Sequence, residues 1–313
     1  MERRHFIKLV SATAGFAAGF GAHVGEDTIA DVIAARGERL ISDRLVACPG
    51  RRPTYRDRSD MVYHLFLRVE VGEARFFPAA DWTGGAPMVK LPSGQMTYGH
   101  EASVCNYIAE FLNQDLGIKN ELANGPTEGP GPVSKIVIGS GASNKQAEMY
   151  LGTPRDPNFE AGSCKLHFGI LKGKGTLVRK QYGTMIERDA HVICDCHRRP
   201  LYHPDSRGDQ QTDDYLLVTR IPGEAPGTYV TIFAGLHGPG TRAAELLYSD
   251  GIVPLRELES LHDKIGFRLG RTPFFQAIFR ASEFDPELKF DDTQSDVATK
   301  LELVEAAPLT RRL

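Results

Sequence analysis

Twice in this chain a short apolar segment empties into a glycine-rich turn and then into a run that suits a helix. Residues 135–139 lead into Gly139-Ser140-Gly141-Ala142-Ser143-Asn144, and residues 229–234 lead into Gly235-Leu236-His237-Gly238-Pro239-Gly240-Thr241. A strand that stops at glycine and resumes as a helix is the joint from which α/β sheets are built, since glycine tolerates the tight turn that a side chain would obstruct. Ser143 with Gln146 three residues on matches a capping box, so a helix is predicted to begin there. After the second loop, residues 242–248 are predicted to be helical.

The rest of the pattern is mixed. Residues 61–71 are β-branched and aromatic and predict a strand. Val104, Tyr107, Ile108, Phe111 and Leu112 recur at helical spacing, with Gly117 placed as a stop. Residues 26–46 and 254–265 also carry one apolar face each, the latter ended by Gly266. Residues 166–220 are strand-rich, and strands are predicted at 274–281 and 297–304. The fold class expected from this order is α/β, with a mixed, largely parallel central sheet and antiparallel additions.

Residues 123–134 hold three prolines and three glycines and read as a linker. They divide a part at 26–122 from a part at 135–313 that carries both glycine loops. The 313 residues suit one large domain or two small ones, and 41% apolar with 25% charged residues is an ordinary globular balance. A net charge of −3, with Arg51, Arg52, Arg56 and Arg58 interleaved by Asp57 and Asp60, gives no basic footprint for nucleic acid. Five irregularly spaced cysteines do not make a disulfide framework.

Residues 1–25 have their own character. Arg3 and Arg4 are followed by Phe6, Ile7 and Lys8, then by an uncharged Ala- and Gly-rich run from Leu9 to Gly25. A charged start before a mild apolar segment is signal-peptide architecture. The segment resembles the twin-arginine (Tat) export signal, which is an address read by a receptor and not an anchor. That resemblance implies passage of a folded protein through the Tat machinery to a periplasmic or extracytoplasmic destination. The alternative is a cytoplasmic protein with a vestigial leader. The run is short and glycine-rich against the roughly 20 apolar residues of a membrane helix, so no stable span is expected.

Three groups of residues have chemical potential. Bare amides at a helix start attract phosphate or carboxylate, and glycine lets a ligand approach the backbone. Gly139, Ser140, Gly141, Ser143 and Asn144 form one such candidate. Gly235, His237, Gly238, Gly240, Thr241 and Arg242 form the other, with the Arg242 guanidinium able to add a charge-assisted contact. The arrangement is broadly similar to Rossmann-like domains, which bind ligands at the carboxyl ends of strands. It implies a small anionic ligand, a nucleotide being one candidate. Neither loop carries the dinucleotide fingerprint, and no Gly-Lys-Ser/Thr occurs for a phosphate loop.

Leu236-His237-Gly238 resembles the His-Gly oxyanion segment of α/β-hydrolases, but no Gly-x-Ser-x-Gly elbow follows it. The third group is the stretch from His191 to His197, with His203 beyond it. Cys194, Cys196, His197 and His203 are thiol and imidazole donors of the kind that bind zinc, copper or iron, which gives a metal or redox reading as the alternative. His100 and Glu101 read as a surface pair. A third, non-catalytic reading makes residues 77–94 and 127–133 partner-binding loops.

Overall fold

The computed structural model describes residues 61–67, 74–77, 88–90, 96–111, 120–122, 134–181, 184–207, 210–248, 255–266, 274–285 and 297–310. The signal-like leader, the helix expected at 26–46 and most of the two proposed partner-binding loops lie outside them. The described residues all fall within one compact unit, Arg52–Leu313.

In chain order the strands are β1 (Ala74–Phe77), β2 (Met88–Lys90), β3 (Met96–Tyr98), β4 (Asn120–Leu122), β5 (Ser134–Ile138), β6 (Glu160–Ala161), β7 (Cys164–Lys165), β8 (Phe168–Gln181) and β9 (Thr184–Asp195). They continue as β10 (Pro200–Tyr202), β11 (Ser206–Arg207), β12 (Gln210–Gln211), β13 (Asp213–Pro222), β14 (Tyr229–Gly235), β15 (Phe275–Asp285) and β16 (Val297–Pro308). The helices are α1 (Gly99–Glu110), α2 (Lys145–Leu151), α3 (Gly238–Arg242), α4 (Ala244–Tyr248) and α5 (Leu255–Lys264).

Seven strands form the central sheet in the order β16-β15-β13-β14-β5-β1-β4. The half running β14-β5-β1-β4 is parallel, whereas β13, β15 and β16 each pair antiparallel with their neighbours. Strands on both sides of the 123–134 segment therefore share one sheet. A separate antiparallel sheet, β10-β9-β8, is built on the long β8–β9 hairpin.

This layout corrects the Rossmann-like, largely parallel expectation. Strand outweighs helix among the described residues, and there is no steady alternation of strand and helix. The reason is visible at residues 223–228, the only chain between β13 and β14. A parallel crossover needs about a dozen residues or more, so a link this short can only make a hairpin.

Both faces of the sheet are covered, and its central strands β5, β13 and β14 are buried along their whole length. Ile136, Ile138, Phe233, Phe275 and Phe279 point to one face and pack with α1, α4 and α5. Val137, Ile232, Ala234, Leu217 and Ile278 point to the other, where α2 and the base of the β8–β9 hairpin lie. Gln276 fastens that hairpin to the sheet. Its fully buried side chain accepts from the amides of His167 and Phe168 and donates to the Phe168 carbonyl at 2.9 Å.

Residues 61–67 depart from the strand expected over 61–71, and 68–71 lie outside the described residues. Tyr63–Leu67 is a π-helical turn with all five side chains buried. A short run of apolar residues reads alike as buried strand or buried helix, because no polar face marks the period. The Phe66 carbonyl is taken up by Arg220 Nη1 and, at 2.7 Å, by the Thr231 hydroxyl.

Candidate functional site

The two glycine loops do come together. β5 and β14 are adjacent and parallel, and the Gly139 amide donates to the Phe233 carbonyl at 2.9 Å. From there the chain leaves in opposite directions. After β5 it enters α2, whose Ala147, Tyr150 and Leu151 join the core on the Val137 face. After β14 it enters α3 and α4, whose Ala243, Ala244, Leu246 and Leu247 join the core on the Phe233 face. Neighbouring parallel strands whose connections diverge leave a crevice at their carboxyl ends, the usual ligand position in open sheets.

Several backbone donors of these loops are already engaged. Ser143 and Asn144 both donate their amides to the Ser140 carbonyl, at 3.0 and 2.9 Å. The helix cap is Asn144 rather than the Ser143 of the expected capping box. Its Oδ1 accepts from the amides of Gln146 and Ala147, and its Nδ2 donates to the Ile138 carbonyl at 2.7 Å. Gln146 is fully buried instead of reaching back to complete a box. Gly141 lies against the Gly152 carbonyl.

In the second loop, the Gly235 amide meets the Thr241 hydroxyl at 3.2 Å, and that hydroxyl also faces the His237 carbonyl. Gly238 opens α3, the Thr241 amide bonds the His237 carbonyl, and the Gly240 amide goes to Asp214 Oδ2 at 2.8 Å. A side chain at Gly235 would meet the Thr241 amide at 2.0 Å, so close backbone approach within the protein requires glycine there. Gly139 has φ +104, and a Cβ on it would stand 2.7 Å from Glu101 Oε1. Glu101, expected on the surface, is buried against this first loop.

Arg242 is also buried, 3.4 Å from Glu245. Burial pushes the Glu245 carboxyl up, against the pull of Arg242 and a Ser103 hydrogen bond. Arg242 is thus held by protein acid at the base of α3.

The group with chemical potential lies on the hairpin side of the second loop and is assembled from four elements. Asp214, at the start of β13, is wholly buried and accepts amides from Tyr215 and Gly240, each at 2.8 Å. His237 Nδ1 stands 3.6 Å from Asp214 Oδ1, and that nitrogen is buried without a hydrogen-bond partner. His237 Nε2 faces the Asp189 carbonyl at 3.3 Å. His191, on β9, places Nδ1 3.2 Å from the Leu236 carbonyl. The two imidazoles stack, with centroids 5.5 Å apart and planes within 11°.

Burial and then the neighbouring His237 lower the His191 pKa, outweighing the Leu236 carbonyl and the acids Asp189 and Asp214. Neutral His191 donates Nδ1–H to the Leu236 carbonyl, which leaves Nε2 as the basic nitrogen. Lys172 pairs with Asp189 at 2.7 Å and, with help from Arg155, holds that carboxyl below its usual range.

The cysteine–histidine stretch does not converge. Cys194 is buried in β9, Cys196 is half-buried, and His197 and His203 are exposed. Asp195 Oδ1 caps the following turn by accepting the His197 and Arg199 amides. Among the described residues, no group of three or more His, Cys, Asp or Glu side chains is placed to hold a metal ion.

Sequence reasoning found His237 but missed Asp214 and His191 as its neighbours, and Glu101 against the first loop. The available signal for Asp214 was an acid directly preceding the apolar run Tyr215 to Val218. An acid that enters a buried strand needs donors, and here two amides supply them, with His237 Nδ1 standing 3.6 Å away.

No protein-family model matches this chain, and comparison with curated proteins and with solved structures returns no match. No helix among the described residues is long and apolar enough to cross a membrane.

Proposed function

We propose that the protein binds a small anionic ligand, a nucleotide among the candidates, in the crevice at the carboxyl ends of β5 and β14. The observation that supports this reading is the divergence of the two loops to opposite faces of the sheet, directly after strands that touch at Gly139 and Phe233. Because the amides of Gly139, Ser143, Asn144, Gly235, Gly240 and Thr241 are internally bonded, side chains carry much of the recognition. His237 and His191 supply ring nitrogens beside the second loop, and Lys172 and Arg155 supply positive charge alongside.

Isothermal titration against nucleotides and sugar phosphates tests the reading. Saturable binding by the wild type, weakened in His237→Gln and His191→Gln, is the expected outcome. Arg242→Ala is a poor probe, since removing this buried cation would strand Glu245 and destabilise the fold. Absence of binding across the panel, or binding indifferent to both histidines, would overturn the assignment.

Export is a separate proposal. It rests on Arg3 and Arg4 before Phe6, Ile7 and Lys8. Cell fractionation of the wild type and an Arg3→Lys, Arg4→Lys variant checks it, with loss of the extracytoplasmic pool expected in the variant.

A further inference from the structure

We propose that His191 and His237 are an acid–base pair that hydrolyses a phosphate ester held in this crevice, with Asp214 as their positioning residue. The inference rests on the ligand-binding reading above and adds chemistry to it.

The geometry divides the labour. The Leu236 carbonyl, 3.2 Å from His191 Nδ1, fixes the tautomer that leaves Nε2 with its lone pair. That nitrogen is the base. His237 Nδ1 faces the Asp214 carboxylate at 3.6 Å and Nε2 faces the Asp189 carbonyl at 3.3 Å, so an N–H at either position points toward an oxygen. It is the acid. Asp214, wholly buried and bonded to two amides, stays in place while the ring exchanges its proton. The charged groups around His191 come from every side of the site: Lys172 on β8, Asp189 on β9, Asp214 on β13, His237 in the second loop and Arg155 before the hairpin.

In the step, a water O–H bond breaks and its proton goes to His191 Nε2. The water oxygen forms a bond to phosphorus as the P–O ester bond breaks. The departing oxygen takes the Nε2 proton of His237, whose 3.3 Å contact with the Asp189 carbonyl is given up as the proton moves. His191 ends protonated and His237 neutral, and exchange with solvent restores both. A phosphate ester fits better than a carboxylic ester on two grounds. The Gly235, Gly240 and Thr241 amides, which an oxyanion hole for a tetrahedral carbon could have used, are already bonded within the protein. Lys172 and Arg155 stand where phosphoryl charge needs cations.

The test uses phenyl and p-nitrophenyl phosphates, each as mono- and diester, with p-nitrophenyl acetate as the carboxylic control, on the full chain. Phosphate ester cleavage with a bell-shaped pH profile is expected. His191→Asn should slow both leaving groups by about 100-fold or more. His237→Asn should slow the phenyl esters far more than the nitrophenyl esters, because nitrophenolate departs without a proton and phenolate does not. A merely structural role for His237 would slow both alike. Asp214→Asn should move the acidic limb of the profile. No cleavage of any phosphate ester by the wild type, cleavage of the acetate alone, or equal loss for both leaving groups in His237→Asn overturns the proposal. Titration with the nucleotide panel separates the two readings: binding without turnover removes the chemistry and leaves the ligand site standing.

Discussion

Asp214 Oδ2 accepts the amide of Gly240 at 2.8 Å, tying the first residues of β13 to the first turn of α3. The other oxygen of the same carboxylate takes the Tyr215 amide. Asp214→Ala would leave both donors buried without an acceptor, a loss of about 2–4 kcal/mol. Asp214→Asn keeps one acceptor and should lose less. Urea titration of the two variants checks the order, and equal stability of wild type and Asp214→Ala would remove this carboxylate as the loop's anchor.

His191 should make the fold weaker in mild acid. Its proton affinity in the folded state lies below the ordinary value of 6.5. As pH falls through 6.5 the unfolded chain takes up a proton there that the folded chain refuses, so stability drops until the folded ring also protonates. His237→Asn removes the second-largest cause of the shift and should raise the His191 titration midpoint. Two-dimensional NMR of the imidazole signals reads this directly; an unchanged midpoint would show that the stacked ring is electrostatically silent.

Asn144 and Ser143 allow the cap of α2 to be located by mutation. Asn144→Ala should cost about 1 kcal/mol, as expected for a lost N-cap, with more if the Ile138 carbonyl is also left unmet. Ser143→Ala should stay within about 0.5 kcal/mol. Thermal melts that reversed this order would restore the capping box to Ser143.

The cysteines should differ sharply in reactivity. Burial and then Asp195 push the Cys194 thiol up to about 11, and burial and Glu101 raise Cys105 still further. Thiolate is the reactive form. In brief alkylation at pH 8, mass spectrometry should find the half-buried Cys196 labelled and Cys194 and Cys105 protected, with protection lost in urea. Early labelling of Cys194 would contradict its burial in β9.

The joints of the fold were more legible than its topology. The strands into Gly139 and Gly235, the helix ended by Gly266 and the two late strands could all be read from local pattern, because turn chemistry and apolar period act over a few residues. Sheet direction could not be taken from the glycine turns, since they report where a strand ends and nothing about its neighbour. The decisive clue was the short link between Pro222 and Tyr229, too short for anything but a hairpin. Residues 61–67 escaped for a different reason. They are buried on every side, and the Arg220 and Thr231 contacts to the Phe66 carbonyl show how a π-helical turn is tolerated there. At the site, His237 was marked by its loop. Asp214 and His191 reach it from distant segments, as Glu101 reaches the first loop, and no local signal links residues that meet only through packing.

The placement of β5 between β1 and β14 has a consequence during synthesis. Residues 134–138 leave the ribosome long before residues 229–235 exist to cover their second edge. For that interval the nascent chain carries an exposed, apolar strand flank. A chaperone that shields such edges would therefore be expected to hold this polypeptide until Tyr229 and its successors emerge.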